Sequence, residues 1–342
     1  MGIPGDSRRA TLVDVAKAAG VGPMTVSRTL SGHPYVAEET AKRVRAAIQK
    51  LGYRPNLAAR MLVGQRSTSI GLIVPDIADP FFATVSRSVQ LAAREAGYTV
   101  WLAVSDGDVA TEKAELEQML HHPVDGIILA PVSSRAKHLT AAAAGTTPIV
   151  TIDRPIESAT TDSIEVENQA GAHLAVEHLL LHGFRRIACI ATDCHLRSIR
   201  ERVVAYEALL LRRKLRPRKI IIDKKEEVAA AVQSLLKSSF KPQALFATNN
   251  VCAVQVIQAL HTLGMRIPTD IALIGFDDLD LYPLMQPPIT ALRQPLAEMG
   301  RTAAQLLLER VRGNGPSAHA EVTLPVELIV RESCGCTAQH RI

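Results

Sequence analysis

An all-α head followed by an α/β body is the fold class the sequence predicts, on three observations. Basic residues crowd one end of the chain, short glycine-punctuated helical patterns fill that end, and β-branched runs alternate with helical patterns through the rest. Of the 342 residues, 39 are Lys or Arg and 34 are Asp or Glu. Residues 1–66 hold eleven basic residues against four acidic ones, whereas the remainder holds 28 against 30, so the positive charge belongs to the head. A hydrophobic fraction of 47% with 21% charged residues excludes wholesale disorder. The length fits two or three domains. No apolar run reaches the ~18–20 residues of a membrane helix. The longest candidate, 139–152, is broken by Gly145, Thr146, Thr147 and Pro148. The start of the chain is polar and basic with no apolar signal core, so a cytoplasmic protein without a membrane partner is expected.

In the head, Thr11 is placed to cap a first helix, with Asp14 as its capping-box partner and Val15, Ala16 and Ala19 as the apolar stripe before Gly20. Val21-Gly22 reads as a turn, and Pro23 suits the first position of a second helix. There Val26 and Leu30 face inward until Ser31-Gly32. After His33-Pro34-Tyr35, a third helix from about Ala37 to Leu51 sets Val44, Ile48 and Leu51 on one face and stops at Gly52. Three short helices with a glycine-containing turn between the first two form a helix-turn-helix pattern, whose second helix enters the major groove of DNA. The basic surplus agrees with a polyanionic partner.

From Ser69 onward, strands are expected at 70–74, 98–104, 126–129, 149–152, 187–190, 220–222, 244–247 and 271–275. Helices are expected at 82–96, 111–120, 169–181, 202–213, 228–237 and 251–263, with the alanine-rich stretch 140–144 part of another. That order gives parallel sheets with crossover helices, as one large sheet or as two lobes. Such sheets also host nucleotide-dependent enzymes, which would carry a GxGxxG turn after the first strand. The chain instead reads Pro75-Asp-Ile-Ala-Asp-Pro80-Phe-Phe82 there, and neither GxxxxGK[ST] nor GxSxG occurs. No cofactor is expected, and the enzymatic alternative reduces to a DNA-tethered sugar-metabolising enzyme.

Five cysteines, Cys189, Cys194, Cys252, Cys334 and Cys336, are odd in number and lack CxxC spacing, so reduced thiols are expected. Cys334-Gly335-Cys336 could bind a metal but lacks a second ligand pair. His178 and His182 stand four apart on a predicted helix without an HExxH motif. They read, with His121, His122 and His173, as surface histidines, and no metal is expected.

Three blocks, Thr11 to Val21, Thr25-Val-Ser-Arg28 and Leu51 to Leu62, together with the spacing between them, resemble the head of the lactose/galactose repressor (LacI/GalR) family. The resemblance implies that Pro23, Met24 and Arg28 face bases, that Thr25 and Ser27 lie near phosphates, and that Thr11, Asn56, Ala59, Arg60 and Leu62 complete the DNA contacts. Arg28 has a direct chemical warrant, because a guanidinium bonds a guanine edge bidentately. Gly22 replaces the hydroxyl cap common in the family and Pro23-Met24 offers no donor, so direct readout rests on apolar contact and Arg28. Residues 55–62 are implied to form a hinge helix only on the operator, with Leu62 as a minor-groove wedge. Eight residues are too few for a free helix in water.

The resemblance continues to about residue 335, through 75–82, 124–131, 152–155, 247–250, 267–270, 275–278 and 324–328. It implies a helix-turn-helix head on a two-lobed, periplasmic-binding-protein-like α/β sensor domain with an effector in the interlobe cleft. Phe81, Phe82, Asp153, Arg202, Asn249, Asn250 and Asp277 would line that cleft. The effector would be a sugar, a sugar acid or a related metabolite; Asn250 departs from the Asp usual there, and Arg197, Arg200 and Arg202 together raise the anionic option, a sugar acid. The expected boundaries are a head at 1–54, a hinge at 55–66 and an effector domain at 67–342. The first lobe would hold about 67–163 and 294–322, the second about 164–293 and 323–342. The whole reads as an effector-controlled transcription regulator, expected to be a repressor, cytoplasmic and nucleoid-associated. It would bind a double-stranded operator as a homodimer, because the tail after Glu332 has no leucine heptad for a tetramer.

Overall fold

The computed structural model describes residues 10–30, 35–53, 66–122, 124–135, 137–143, 145–157, 161–222 and 227–336. The chain forms two compact units, Met1–Ser67 and Thr68–Ile342.

In the first unit, helix α1 (Leu12–Ala19) is closed by a reciprocal capping box. Thr11 N donates to Asp14 Oδ2 at 2.8 Å and Asp14 N donates to Thr11 Oγ1 at 3.3 Å. Helix α2 (Pro23–Leu30) begins on Pro23, and α3 (Glu38–Leu51) follows. Val15, Ala16, Ala19, Val26, Val44 and Ala47 make the core, with Leu30 and Ile48 partly buried against it. Leu51, expected inside, is 38% exposed. Gly52, left-handed at φ +57°, turns the chain so that Tyr53 N reaches Ile48 O, and Tyr53 packs on the core in its place. The hinge expected at residues 55–62 falls outside the described residues, as do its candidate contacts Asn56, Ala59, Arg60 and Leu62.

The second unit holds two six-stranded sheets. The first runs β11-β5-β4-β3-β1-β2, from β1 (Ser69–Val74), β2 (Thr99–Val104), β3 (Gly126–Leu129), β4 (Ile149–Ile152), β5 (Asp162–Val166) and β11 (Glu321–Leu324). The second runs β12-β10-β9-β8-β6-β7, from β6 (Ile187–Thr192), β7 (Arg218–Ile222), β8 (Ala244–Ala247), β9 (Ala272–Phe276), β10 (Thr290–Arg293) and β12 (Glu327–Ile329). All neighbours pair parallel except β10 and β12. The lobes thus repeat one topology, strand for strand, from β1 to β5 and from β6 to β10.

Helices cover both faces of each sheet. They are α4 (Pro80–Glu95), α5 (Val109–His121), α6 (Lys137–Ala143) and α11 (Leu296–Arg312) in the first lobe, and α7 (Asn168–Leu181), α8 (Arg197–Arg212), α9 (Val228–Lys237) and α10 (Asn250–Thr262) in the second. Both faces of each sheet therefore bury apolar side chains, as parallel strands require. Gly300 lets α11 lie against α4, since a Cβ there would come within 2.6 Å of Val85 O. The chain crosses between lobes three times, after β5, after β10 and after β11. The first and third crossings fall a few residues beyond the expected 163 and 322 because β5 and β11 continue to Val166 and Leu324. Twelve strands stand among the described residues where eight were expected. The extra four, β5, β10, β11 and β12, are short and of mixed polarity, so they carry no apolar run to announce them.

Candidate functional site

On the head, helix α2 presents its outer face to solvent. Pro23, Met24 and Arg28 are exposed, Met24 at 67%, Thr25 and Ser27 are partly exposed, and Val26 is the buried anchor. Positions 24 and 28 share a face by the helical period. Thr11 is exposed and its hydroxyl is already engaged with Asp14.

In the body, a cleft of about 470 Å³ opens between the lobes, at the carboxyl ends of the strands where open α/β sheets bind ligands. All seven residues expected there line it: Phe81, Phe82, Asp153, Arg202, Asn249, Asn250 and Asp277. Local sequence explains each placement. Asp79 caps α4 by accepting from Phe81 N at 2.9 Å, and Pro80 opens the helix, so the edge-to-face pair Phe81 and Phe82 is delivered to the cleft wall. Asn249 caps α10 through Cys252 N (2.8 Å) and donates to Thr192 Oγ1 (3.2 Å).

Asp153 and Asp277 follow β4 and β9, the equivalent strands of the two lobes, and both are left-handed, at φ 70° and 72°. A positive φ is costly for a residue with a Cβ and is held here by the fold in both lobes at once. Asp153 Oδ2 lies 2.9 Å from Arg154 Nε, without the alignment of a hydrogen bond. Asp277 accepts from Asn250 N at 3.0 Å and from Gln294 Nε2. Burial pushes the Asp277 carboxyl above its ordinary range, against the opposing pull of Arg202 and these hydrogen bonds.

Arg202 is 2% exposed. Its Nε donates to Asn168 Oδ1 and its Nη1 to Thr248 O, each at 2.8 Å, and the guanidinium stacks 3.5 Å from the Phe276 centroid. Burial lowers its proton affinity, while Asp277 and Asp153 counter that loss. Nη2 is left without a partner among the described residues, on a side chain that lines the cleft. Among the described residues, two side-chain hydrogen bonds away from the crossing segments span the lobes. Asn250 Nδ2 donates to Asp79 Oδ1 at 2.7 Å, and Arg200 Nη2 donates to Glu157 Oε1 at 2.9 Å. Burial raises the Asp79 carboxyl as well.

Comparison with known proteins now bears on this geometry. The sequence profile of bacterial regulatory proteins of the lacI family matches residues 11–56, and that of the periplasmic binding protein-like domain matches 176–334. The HTH-type transcriptional regulator PtxS of Pseudomonas plecoglossicida is 36% identical over 329 residues, covering 95% of this chain and 96% of its own. The chain belongs to the LacI family of bacterial regulatory proteins. A solved Lac repressor dimer bound to operator and the anti-inducer ONPF superposes with a TM-score of 0.85 at 26% identity, over 96% of this chain and 99% of that one. The transcriptional regulator CelR in complex with cellobiose gives 0.70 at 29%, over 95% and 100%. This LacI-family chain is a DNA-binding transcriptional regulator with a helix-turn-helix head and a two-lobed sensor.

Three features of the regulator differ from the expectation or escape it. Arg197 and Arg200 stand outside the cleft, ion-paired with Glu201 (2.8 Å) and Glu157 (2.9 Å), so the arginine cluster proposed for an anion dissolves. With 3.6 residues per turn, position 202 falls on roughly the opposite face of α8 from position 200. Asp79, Arg154, Asp193, His195 and Gln294 also line the cleft. Polar residues directly after apolar strands would have pointed to Arg154 and Asp193, whereas Gln294 follows the unrecognised β10. Finally, His178, His182, Cys334 and Cys336, read separately as unremarkable, meet in space.

Proposed function

We propose that this regulator is a cytoplasmic, homodimeric repressor in which a neutral sugar occupies the interlobe cleft and controls binding of the two heads to a near-palindromic operator. The observation that carries the reading is the convergence of Asp153, Asp277 and Arg202 beside Phe81 and Phe82. Carboxylates and a guanidinium bond vicinal hydroxyls, and an aromatic covers the apolar face of a pyranose or furanose ring. Charge favours a neutral ligand over a sugar acid. Asp79, Asp153, Asp193 and Asp277 outnumber Arg154 and Arg202 among the buried and half-buried groups of the cleft. The cellobiose complex of CelR supports a sugar.

A ligand held by residues of both lobes shifts the balance between closed and open clefts by its difference in affinity for the two. Asp79–Asn250 and Glu157–Arg200 bridge the lobes and contribute to that balance. The hinge at residues 55–66 transmits it to Pro23, Met24, Thr25, Ser27 and Arg28 on the operator, with Thr11, Asn56, Ala59, Arg60 and Leu62 as further contacts. On this reading the cleft binds its ligand without transforming it, which the naming of the curated relatives as transcriptional regulators and repressors supports.

Isothermal calorimetry of the purified chain against neutral sugars, the corresponding sugar acids and nucleobases tests this. A neutral sugar should bind saturably and be recovered unchanged. Binding confined to acids would replace the neutral-ligand reading, and conversion of the sugar would favour a DNA-tethered enzyme.

A further inference from the structure

We propose that His178, His182, Cys334 and Cys336 form a tetrahedral zinc site that staples the segment after β12 to helix α7 in the second lobe. The four ligand atoms come from positions up to 158 residues apart, yet all lie within 4.8 Å of one another. His178 Nε2 is 3.2 Å from Cys334 Sγ and 3.6 Å from Cys336 Sγ, and His182 Nε2 is 2.9 Å from Cys336 Sγ. Zinc bonds of about 2.3 Å to sulfur and 2.0–2.1 Å to nitrogen require nitrogen–sulfur separations of roughly 3.6 Å in a tetrahedron. The three pairs need shifts of up to about 0.7 Å, and the widest separation in the set, 4.8 Å, must close by about 1 Å, to reach that geometry.

Local structure accounts for the arrangement. The i,i+4 spacing puts both imidazoles on one face of the C-terminal turn of α7, with ring centroids 4.8 Å apart. Gly335, at φ +95°, carries the chain between the two thiols in a conformation that side-chain-bearing residues rarely adopt. Thr290 fixes Cys334, since its hydroxyl accepts from Arg331 N (2.8 Å) and donates to Cys334 Sγ (3.2 Å). Such a donor also steadies a metal-bound thiolate.

Two thiolates and two imidazoles suit zinc, and four protein ligands leave no coordination position open, which makes the site structural. None of the four residues lines the effector cleft, so the site stands independently of the sugar reading.

The test uses the full chain, purified untagged under reducing conditions, stripped with a chelator and titrated first with Co²⁺ and then with Zn²⁺. One metal per chain is expected, with the intense visible bands of tetrahedral cobalt, thiolate charge transfer in the near ultraviolet, and a melting temperature that rises on zinc addition. Cys336→Ser and the surface variant His182→Ala should each weaken zinc at least about tenfold, whereas His121→Ala should bind like wild type. Substoichiometric binding, an octahedral cobalt spectrum, wild-type affinity in both ligand variants, or a Cys334–Cys336 disulfide in place of metal uptake would each overturn the proposal.

Discussion

Met24 and Arg28 stand exposed on a two-turn helix held by one buried residue, Val26, whereas Arg202, in the body, is 2% exposed and makes two hydrogen bonds and a ring contact within the protein. The head keeps the side chains proposed to read DNA out of its own core, so altering them should change what is bound far more than how the head folds. The body builds the proposed effector group Arg202 into the fold, so ligand affinity and stability should be coupled there. This difference predicts how substitutions in the two regions should separate.

Arg202→Ala should have the largest effect. It leaves Asn168 Oδ1 and Thr248 O without their donor and uncovers Phe276. The expected loss is about 2–4 kcal/mol of stability by denaturant titration, with effector binding abolished in calorimetry. Arg28→Ala should cost about 1–3 kcal/mol of operator affinity, with a far smaller effect on melting temperature than Arg202→Ala. If it destabilised the fold instead, the contrast between the regions would fail.

Asn250→Ala removes the bond to Asp79 across the cleft. It should cost roughly 1 kcal/mol of effector affinity and speed ligand release in stopped-flow fluorescence. Glu157→Gln should be smallest. Hydrogen bonds from Arg135 (2.6 Å) and Arg200 (2.9 Å) hold this carboxyl below its ordinary range. A depressed carboxyl contributes in full above its unfolded value of about 4.5 and loses the contribution as pH falls through the lower folded value. The variant should therefore lose less than about 1 kcal/mol at pH 7, and the gap to wild type should close in acid.

What the sequence made legible follows the same physical division. Caps and turns are local, so Thr11 with Asp14, Gly20 and Pro23 mark the head helices within a residue or two. The central strands of both sheets are apolar on both faces and stand out, whereas β5, β10, β11 and β12 do not. The cleft residues Asp153, Asn249, Asn250 and Asp277 were legible as polar residues ending apolar strands in a recognisable family pattern. Gln294 was not, since its strand is short and mixed. Arg197 and Arg200 were misread because nearness in sequence ignores helical phase. The pairing of His178 and His182 with Cys334 and Cys336 is a tertiary contact that no local pattern encodes.

The central claim is that a ligand in the cleft of residues 68–342 controls DNA binding by the head. An anisotropy titration tests it most directly, using a palindromic duplex selected by the intact chain and run with and without the sugar identified by calorimetry. Saturating sugar should shift the operator Kd by about tenfold or more in wild type. In Arg202→Ala, operator affinity without sugar should match wild type and should not respond to sugar. An operator Kd unmoved by a ligand that saturates the wild-type cleft would contradict the account.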